Sequence, residues 1–130
     1  MASSVTAIGA ILLADAGVTG LVAQRVFNKR LPDRVDYPAI AYRKVVKVPR
    51  LNHDGASSRF DIRVQVNCYG SSDVVDAVYR AARAALDNVA AGTYNGIDTT
   101  GVQYIDDIDD YDDDTKKDVI KFDVKLFVVE

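Results

Sequence analysis

The sequence predicts an α+β fold: a four-stranded, mainly antiparallel sheet with an N-terminal helix and one long central helix packed on one face, in the order α-β-β-α-β-β. Two observations predict it. From Arg59 to Tyr69 and from Val119 to Val129, apolar residues alternate with mostly polar ones, as in strands with one buried face. After Gly70, apolar residues recur at three- and four-residue spacing, which predicts a helix covering that face.

A single domain spanning residues 1–130 is predicted, because 130 residues with 48% hydrophobic content suffice for one sizeable core. Cys68 is the only cysteine and lies on the apolar face of its strand, which suits folding in a reducing cytoplasm. The apolar start is interrupted by Asp15 and Gly17, far short of the ~18 residues that a membrane span needs. It is therefore interpreted as a helix.

The first helix begins at a Ser3 or Ser4 cap and ends at residues 15–17. Val18 to Gln24 predicts a short second helical turn, and residues 25–38 an irregular segment that contains two of the three prolines. The apolar face of the first helix consists of Val5, Ile8, Ile11 and Leu12.

Ala39 to Val48 is predicted as the first strand, joined to the strand at Arg59 by a polar loop at residues 50–58. This hairpin is basic, through Arg43, Lys44, Lys47 and Arg50. A basic hairpin is compatible with DNA binding, but no aromatic residues are interleaved for base stacking, so the indication is weak.

The central helix is predicted to begin at a Ser71 or Ser72 cap and to end at Ala91-Gly92. A loop over residues 93–101, a strand over residues 102–108 and an acidic hairpin tip then lead to the last strand. The predicted buried stripe of the helix consists of Val75, Val78, Ala82, Ala85, Leu86 and Val89.

Charge is divided unevenly along the chain. Residues 1–70 carry 10 Lys/Arg against 5 Asp, and residues 71–130 carry 6 Lys/Arg against 14 Asp/Glu. In copies that meet head to tail, the basic surface of one copy would face the acidic surface of the next. Two solvated surfaces of opposite charge are the simpler alternative.

The acidic run contains a D-x-D-x-D pattern at Asp110, Asp112 and Asp114. Thr115 replaces the glycine of a calcium-binding EF-hand loop and Lys121 falls where its bidentate acid belongs, so that class of metal site is excluded. Weak divalent-cation binding stays open, and a solvated or interfacial hairpin tip is the favoured interpretation.

No catalytic constellation emerges from the sequence. His53, the only histidine, stands beside Asp54 in the polar loop, with no activated nucleophile near it in sequence. Glycine-rich phosphate loops, H-E-x-x-H and paired-cysteine motifs do not occur. We therefore expect no enzymatic activity, no cofactor and no resident metal.

Taken in order, the motifs resemble the tail-completion or tail-terminator proteins of long-tailed bacteriophages, also called head-to-tail joining proteins. The resemblance spans nearly the whole chain and rests on the order and spacing of the motifs. They are a leading helix, Arg25-Val26-Phe27, Leu31-Pro32, Tyr37-Pro38-Ala39-Ile40-Ala41-Tyr42, His53-Asp54-Gly55, Arg63-Val64-Gln65-Val66-Asn67-Cys68, Ala85-Leu86-Asp87 and Tyr111-Asp112-Asp113-Asp114-Thr115.

The resemblance implies a non-enzymatic virion protein that forms a ring, usually of six copies. Such a ring caps the tail tube and joins it to the connector or stopper proteins of the head and neck, after assembly in the host cytoplasm and without membrane contact. DNA passes through its lumen only as cargo, and acidic residues on the lumen wall would repel it. Another neck or tube structural protein, or a DNA-contacting module using residues 43–50, is the alternative.

Candidate interface residues lie on both hairpins and on the outer face of the strand that begins at Arg59. They are Arg43, Lys44, Lys47, Arg50, His53, Arg63, Asp109, Asp110, Asp112, Asp113 and Asp114.

Replacing Val64 with Asp is expected to prevent folding, because the substitution buries an unpaired charge on the apolar face of the central strand. Circular dichroism of the purified variant checks this. A native-like spectrum with cooperative unfolding would contradict the assignment of Val64 to the core.

Overall fold

The computed structural model describes residues 3–52, 55–87 and 89–130. Within these residues the chain forms three helices and six strands. In chain order they are α1 (Thr6–Ala14), α2 (Ala16–Val22), β1 (Val26–Asn28), β2 (Ala39–Asn52), β3 (Gly55–Gly70), α3 (Ser72–Asp87), β4 (Gly92–Tyr94), β5 (Ile97–Asp112) and β6 (Lys117–Val129). None of these helices is long and apolar enough to cross a membrane.

The six strands form one curled, mixed sheet in the order β1-β2-β3-β6-β5-β4. β1 runs parallel to β2, and all other neighbours are antiparallel. The predicted fold class was wrong: the protein is mostly sheet, with six strands instead of four and three short helices instead of an N-terminal helix and one long central helix.

The two missed strands are each three residues long, too short for a periodic pattern. β1 was predicted as part of an irregular segment, and it exists because Val26 lies beside Ile40 of β2. β4 was predicted as a loop, but it forms a tight hairpin with β5 through Asn95 and Gly96, whose φ angles are +52° and +78°. An Asn-Gly pair with two positive φ angles is typical of a two-residue hairpin turn.

β2 and β3 are longer than predicted, because residues 50–52 and 55–58 continue the two strands instead of forming a loop. The ladder register shifts near Val45 and again near Arg50. At the first shift β2 has one extra residue, Val45, and at the second Arg50 of β2 stands opposite three residues of β3, 57–59. These irregularities explain why the apolar alternation is lost there. The predicted turn residues His53 and Asp54 lie outside the described residues.

β5 likewise extends through most of the acidic run. Asp109 pairs with Ile120 and Asp112 with Lys117, so much of the predicted hairpin tip is regular strand. The turn itself occupies residues 113–116.

The predicted serine cap of α1 was wrong. Val5 occupies the N-cap position without a side-chain hydrogen bond, while the Ser4 hydroxyl donates to Glu130 at the other end of the described chain. The two serines contribute only backbone carbonyl oxygens to the helix start: that of Ser3 accepts from the amide of Thr6 at 3.0 Å and that of Ser4 from the amide of Ala7 at 3.2 Å. The Ser4 hydroxyl thus binds a residue distant in sequence instead of capping the helix.

The core lies between the three helices and one face of the sheet. The apolar stripe of α3 is confirmed, with five of its six predicted residues buried and Val89 partly buried against them. The largest fully buried side chain is Phe122, in the middle of β6. The thiol of Cys68 is buried in this core, and its burial raises its pKa.

On the opposite, outer face of the sheet, several charged side chains have partners within the chain. The Nε of Arg63 lies 2.7 Å from Asp123, and the Lys117 ammonium lies 5.2 Å from the centroid of the Tyr37 ring. Residues 29–38 therefore reach this face at one end, where Asn67 is only 8% exposed. This polar face is less available to solvent than its alternating pattern indicates.

Gly9 determines how closely α1 approaches β2. A Cβ atom at this position would stand 2.5 Å from the hydroxyl oxygen of Tyr42 and 2.9 Å from its ring carbon Cζ. Tyr42 is 5% exposed, so its ring would have to shift within a mostly buried site to admit a larger residue than glycine here.

Replacing Gly9 with Ala is expected to lower the free energy of unfolding by about 1–3 kcal/mol through overpacking against Tyr42. The gain of about 1 kcal/mol in helix propensity does not offset this cost. Urea unfolding followed by circular dichroism measures the change.

Gly20→Ala in α2 is the matched control, because nothing lies within 4 Å of the Cβ position there. It should leave stability unchanged or raise it by up to about 1 kcal/mol. Equal stabilisation by both substitutions would contradict the close approach at Gly9.

Candidate assembly surfaces

Within the described residues, β1 and β4 are the outermost strands of the sheet, and where they end, the longer strands β2 and β5 continue without a neighbour on that side. β1 pairs with β2 only at Ile40–Tyr42, and β4 pairs with β5 only at Ile97–Thr99. We call residues 43–50 the basic edge and residues 106–114, which include the turn after β5, the acidic edge. Unpaired strand edges expose backbone donors and acceptors and are natural sites of association.

The two edges lie at opposite corners of the sheet. Lys47 pairs with Ile62 of β3, which in turn pairs with Leu126 of β6, so these residues form one row across the sheet. Asp109 belongs to the row of Ile120. Six residues of β6 separate these rows, about 20 Å along the strand, and β3 and β6 lie between the edges. The oppositely charged candidate residues are therefore not brought together within one chain.

On the basic edge, two of the four predicted cations are already engaged. The Lys47 ammonium lies 2.6 Å from Glu130 and 4.4 Å from the centroid of the Phe60 ring. Arg50 Nε lies 2.6 Å from Asp61, with its guanidinium over the Phe127 ring. Arg43 and Lys44 are exposed.

These contacts also affect the acid at residue 130. The hydrogen bond from Lys47, with a second one from Ser4, lowers the pKa of the Glu130 carboxyl. Lys47 therefore ties β2 to the end of the described chain and is less available to a partner than Arg43 or Lys44.

On the acidic edge, Asp110 lies 3.1 Å from Lys121 and accepts a hydrogen bond from the amide of Tyr111. That amide, followed by Lys121, lowers the pKa of the Asp110 carboxyl. Asp112 accepts from the amide of Asp114 at 3.0 Å, which holds the turn.

Asp109, Asp113 and Asp114 are exposed. The acidic edge therefore presents carboxylates to solvent on both the strand and the turn.

Of the two remaining candidate interface residues, the structure describes Arg63 but not His53. Arg63 lies on the outer face in the middle of the sheet, bound to Asp123 and 3.9 Å from Asp106 at the start of the acidic edge. His53 lies outside the described residues.

The five large hydrophobic residues that are most exposed in the described chain all lie on the two edges. Val45, Val46 and Val48 on the basic edge are 50%, 46% and 51% exposed, and Ile108 and Tyr111 on the acidic edge are 58% and 50% exposed. Sequence reasoning missed this grouping, although the run Val45-Val46-Lys47-Val48 in a strand carries apolar residues on both faces.

A polar cluster that the sequence did not reveal joins α3 to β5. The hydroxyls of Tyr79 and Tyr104 both donate to the carboxylate of Asp107, at 2.7 Å for Tyr79. Arg83 donates to the Tyr79 hydroxyl at 3.1 Å, and its guanidinium lies 3.9 Å from the Tyr104 ring centroid. The hydrogen bond from Tyr104, followed by that from Tyr79, lowers the pKa of Asp107.

The described part of the chain contains no group of three or more His, Cys, Asp or Glu residues placed to hold a metal ion. The spacing of Asp110, Asp112 and Asp114 in sequence is thus not accompanied by a convergent ligand set. The chemistry that the geometry does offer is charge and apolar surface along two strand edges.

Residues 6–126 match the family model described as "Tail completion protein gp17". The chain belongs to this family. The resemblance to tail-completion proteins is thereby confirmed, and the protein is a structural component of a phage or phage-like virion tail.

Among solved structures, this tail completion protein is similar to a chain of the "Virion of native gene transfer agent (GTA) particle". The two chains are 16% identical and superpose with a TM-score of 0.73, over 95% of this chain and 92% of the other. At this identity the similarity shows a shared fold. A search of curated proteins gives no match.

The cluster around Asp107 predicts a pH dependence for this tail completion protein. A carboxyl with a lowered pKa contributes stability that is full above its ordinary pKa of 3.8 and is lost as the pH falls through the lowered value. Asp107→Asn should therefore reduce stability at pH 7 and narrow the difference between pH 7 and pH 3. Urea unfolding at both values measures it.

Asp109→Asn is the matched control, an exposed aspartate two residues further along the same strand. It should leave the difference between pH 7 and pH 3 nearly as in the wild type. If both variants change that difference equally, net charge and not the tyrosine cluster is the cause.

Proposed function

We propose that this protein forms a ring of identical copies that closes the tail tube and joins the finished tail to the head. We expect six copies, the usual number that the resemblance to tail-completion proteins implies. The family match over residues 6–126 carries the proposal. Its partners are further copies of itself, the tail tube protein, and the connector or stopper protein of the head and neck. DNA passes through the lumen as cargo.

The physical character of the surface supports an assembly role. Most of the candidate charges lie along two strand edges, one basic and one acidic. A chain with different surfaces on opposite sides forms heterologous contacts, which close into a ring when the rotation between copies allows it. Assembly in the host cytoplasm fits the single, buried, reduced cysteine.

A DNA-contacting role for the basic edge is less well supported. Lys47 and Arg50 are engaged with Glu130 and Asp61, which leaves Arg43 and Lys44 as the exposed cations of that edge outside these ion pairs. Phosphate binding gains affinity from each cation that neutralises a phosphate, so two exposed cations provide little.

Negative-stain electron microscopy of the purified protein, alone and mixed with isolated tail tubes, tests the proposal. We expect rings of one size, with six subunits, in solution or at one end of the tubes. Long filaments would contradict the capping role and favour a tube subunit. Absence of binding at the tube ends, with no ring in solution, would contradict the proposed function altogether.

A further inference from the structure

Three independent properties coincide on the basic edge and on the acidic edge. Both lack a neighbouring strand among the described residues, and between them they carry all five of the large hydrophobic residues with the highest exposure there. The basic edge contains four Lys/Arg and no acid, while the acidic edge contains seven Asp and no base. Elsewhere on the described surface these three properties do not occur together.

The apolar residues indicate a protein partner for these edges. Ile108 and Tyr111 are interleaved with the aspartates of the acidic edge, where a wall that only repels DNA requires charge alone. On the basic edge, Val46 and Val48 stand between the cations in the same way. Apolar residues within a charged strand edge gain free energy only when another surface covers them.

Each edge is complementary to the other, and both are present in every copy. Their position at opposite corners of the sheet prevents them from meeting within one chain. When the basic edge of one copy meets the acidic edge of the next, each copy keeps one edge free for a further neighbour. This arrangement is heterologous and extends until it closes.

We propose that the basic edge of one copy packs against the acidic edge of the next copy in the ring, with the exposed valines covering Ile108 and Tyr111 and the charges paired around them. This inference rests on the proposed ring. It names the surfaces that form the contact between copies and assigns the acidic run to that contact instead of to the lumen.

Five charged residues of the two edges have exposed side chains that none of the contacts described above engages. They are Arg43 and Lys44 on the basic edge and Asp109, Asp113 and Asp114 on the acidic edge. The first four are chosen for the test, because the amide of Asp114 also holds the turn. Lys47, Arg50 and Asp110 already have partners within the chain, so their substitution would disturb the fold as well as the contact.

Two charge-reversal variants test the pairing: Arg43→Asp with Lys44→Asp, and Asp109→Lys with Asp113→Lys. Each variant alone places like charges at the substituted positions of every contact between copies, and its self-association should weaken about tenfold or more in sedimentation velocity. Circular dichroism verifies that each variant is folded. Rings should be lost in solution or on tube ends in the same samples.

Mixing the two variants in equal amounts restores opposite charges at every contact, provided that the copies alternate. Association should return, and native mass spectrometry should show equal numbers of the two variants and an even number of copies. The chain with all four reversals should associate more tightly than either double variant alone, because the charges at the four substituted positions are again opposite.

Arg34→Asp with Arg80→Asp is the matched control, since it makes the same charge change at exposed positions that belong to neither edge. Arg80 pairs with Asp76 of its own helix, but this exposed ion pair contributes little to stability. It should leave self-association within about twofold of the wild type. If both edge variants still form rings like those of the wild type, or if association is not restored when the variants are mixed, the proposed edge pairing is wrong. Either result would leave the proposed ring itself uncontradicted. A wild-type chain that forms no ring, with or without tubes, would instead overturn the proposed function.

Discussion

The register between β3 and β6 is the constraint on which the rest of the structure depends. Twelve consecutive residue pairs, from Arg59 with Val129 to Gly70 with Asp118, hold these central strands together without interruption. The register places the side chains of Val64, Val124 and their alternate neighbours on one face, where the helices cover them. A slip of one residue would turn every buried side chain outward, so helix packing and strand pairing specify each other.

The outer strands β1 and β4 are much shorter than their neighbours β2 and β5. This difference in length leaves the basic edge and the acidic edge without a neighbouring strand. β1 covers only one end of β2 and β4 only the opposite end of β5, so the uncovered segments lie at diagonal corners. Long exposed edges risk unwanted pairing, and charge of a single sign on each edge keeps like edges apart. The same charges make the basic edge complementary to the acidic edge, so the residues that oppose unwanted pairing also favour one specific contact.

Much of the fold centre was predictable because its signals are local and periodic. The alternation in β3 and β6 and the apolar stripe of α3 were confirmed. The short strands β1 and β4 were not predicted, since three residues show no period and their pairing depends on distant partners. For the candidate interface, the sequence identified the charged residues but not that Lys47, Arg50 and Arg63 are bound within the chain.

By itself, the sequence determined which segments have a buried face, where charge of each sign is concentrated, and the family to which the chain belongs. Only the tertiary structure decided three other features. A Cβ atom at residue 9 would stand too close to the Tyr42 ring, and Asp107 accepts hydrogen bonds from two tyrosines. The exposed valines and the exposed aspartates lie at opposite corners of the sheet. The physical reason is range. Alternation and helical spacing are properties of neighbouring residues, whereas close approach, ion pairing and edge exposure depend on residues that meet only after the sheet has formed.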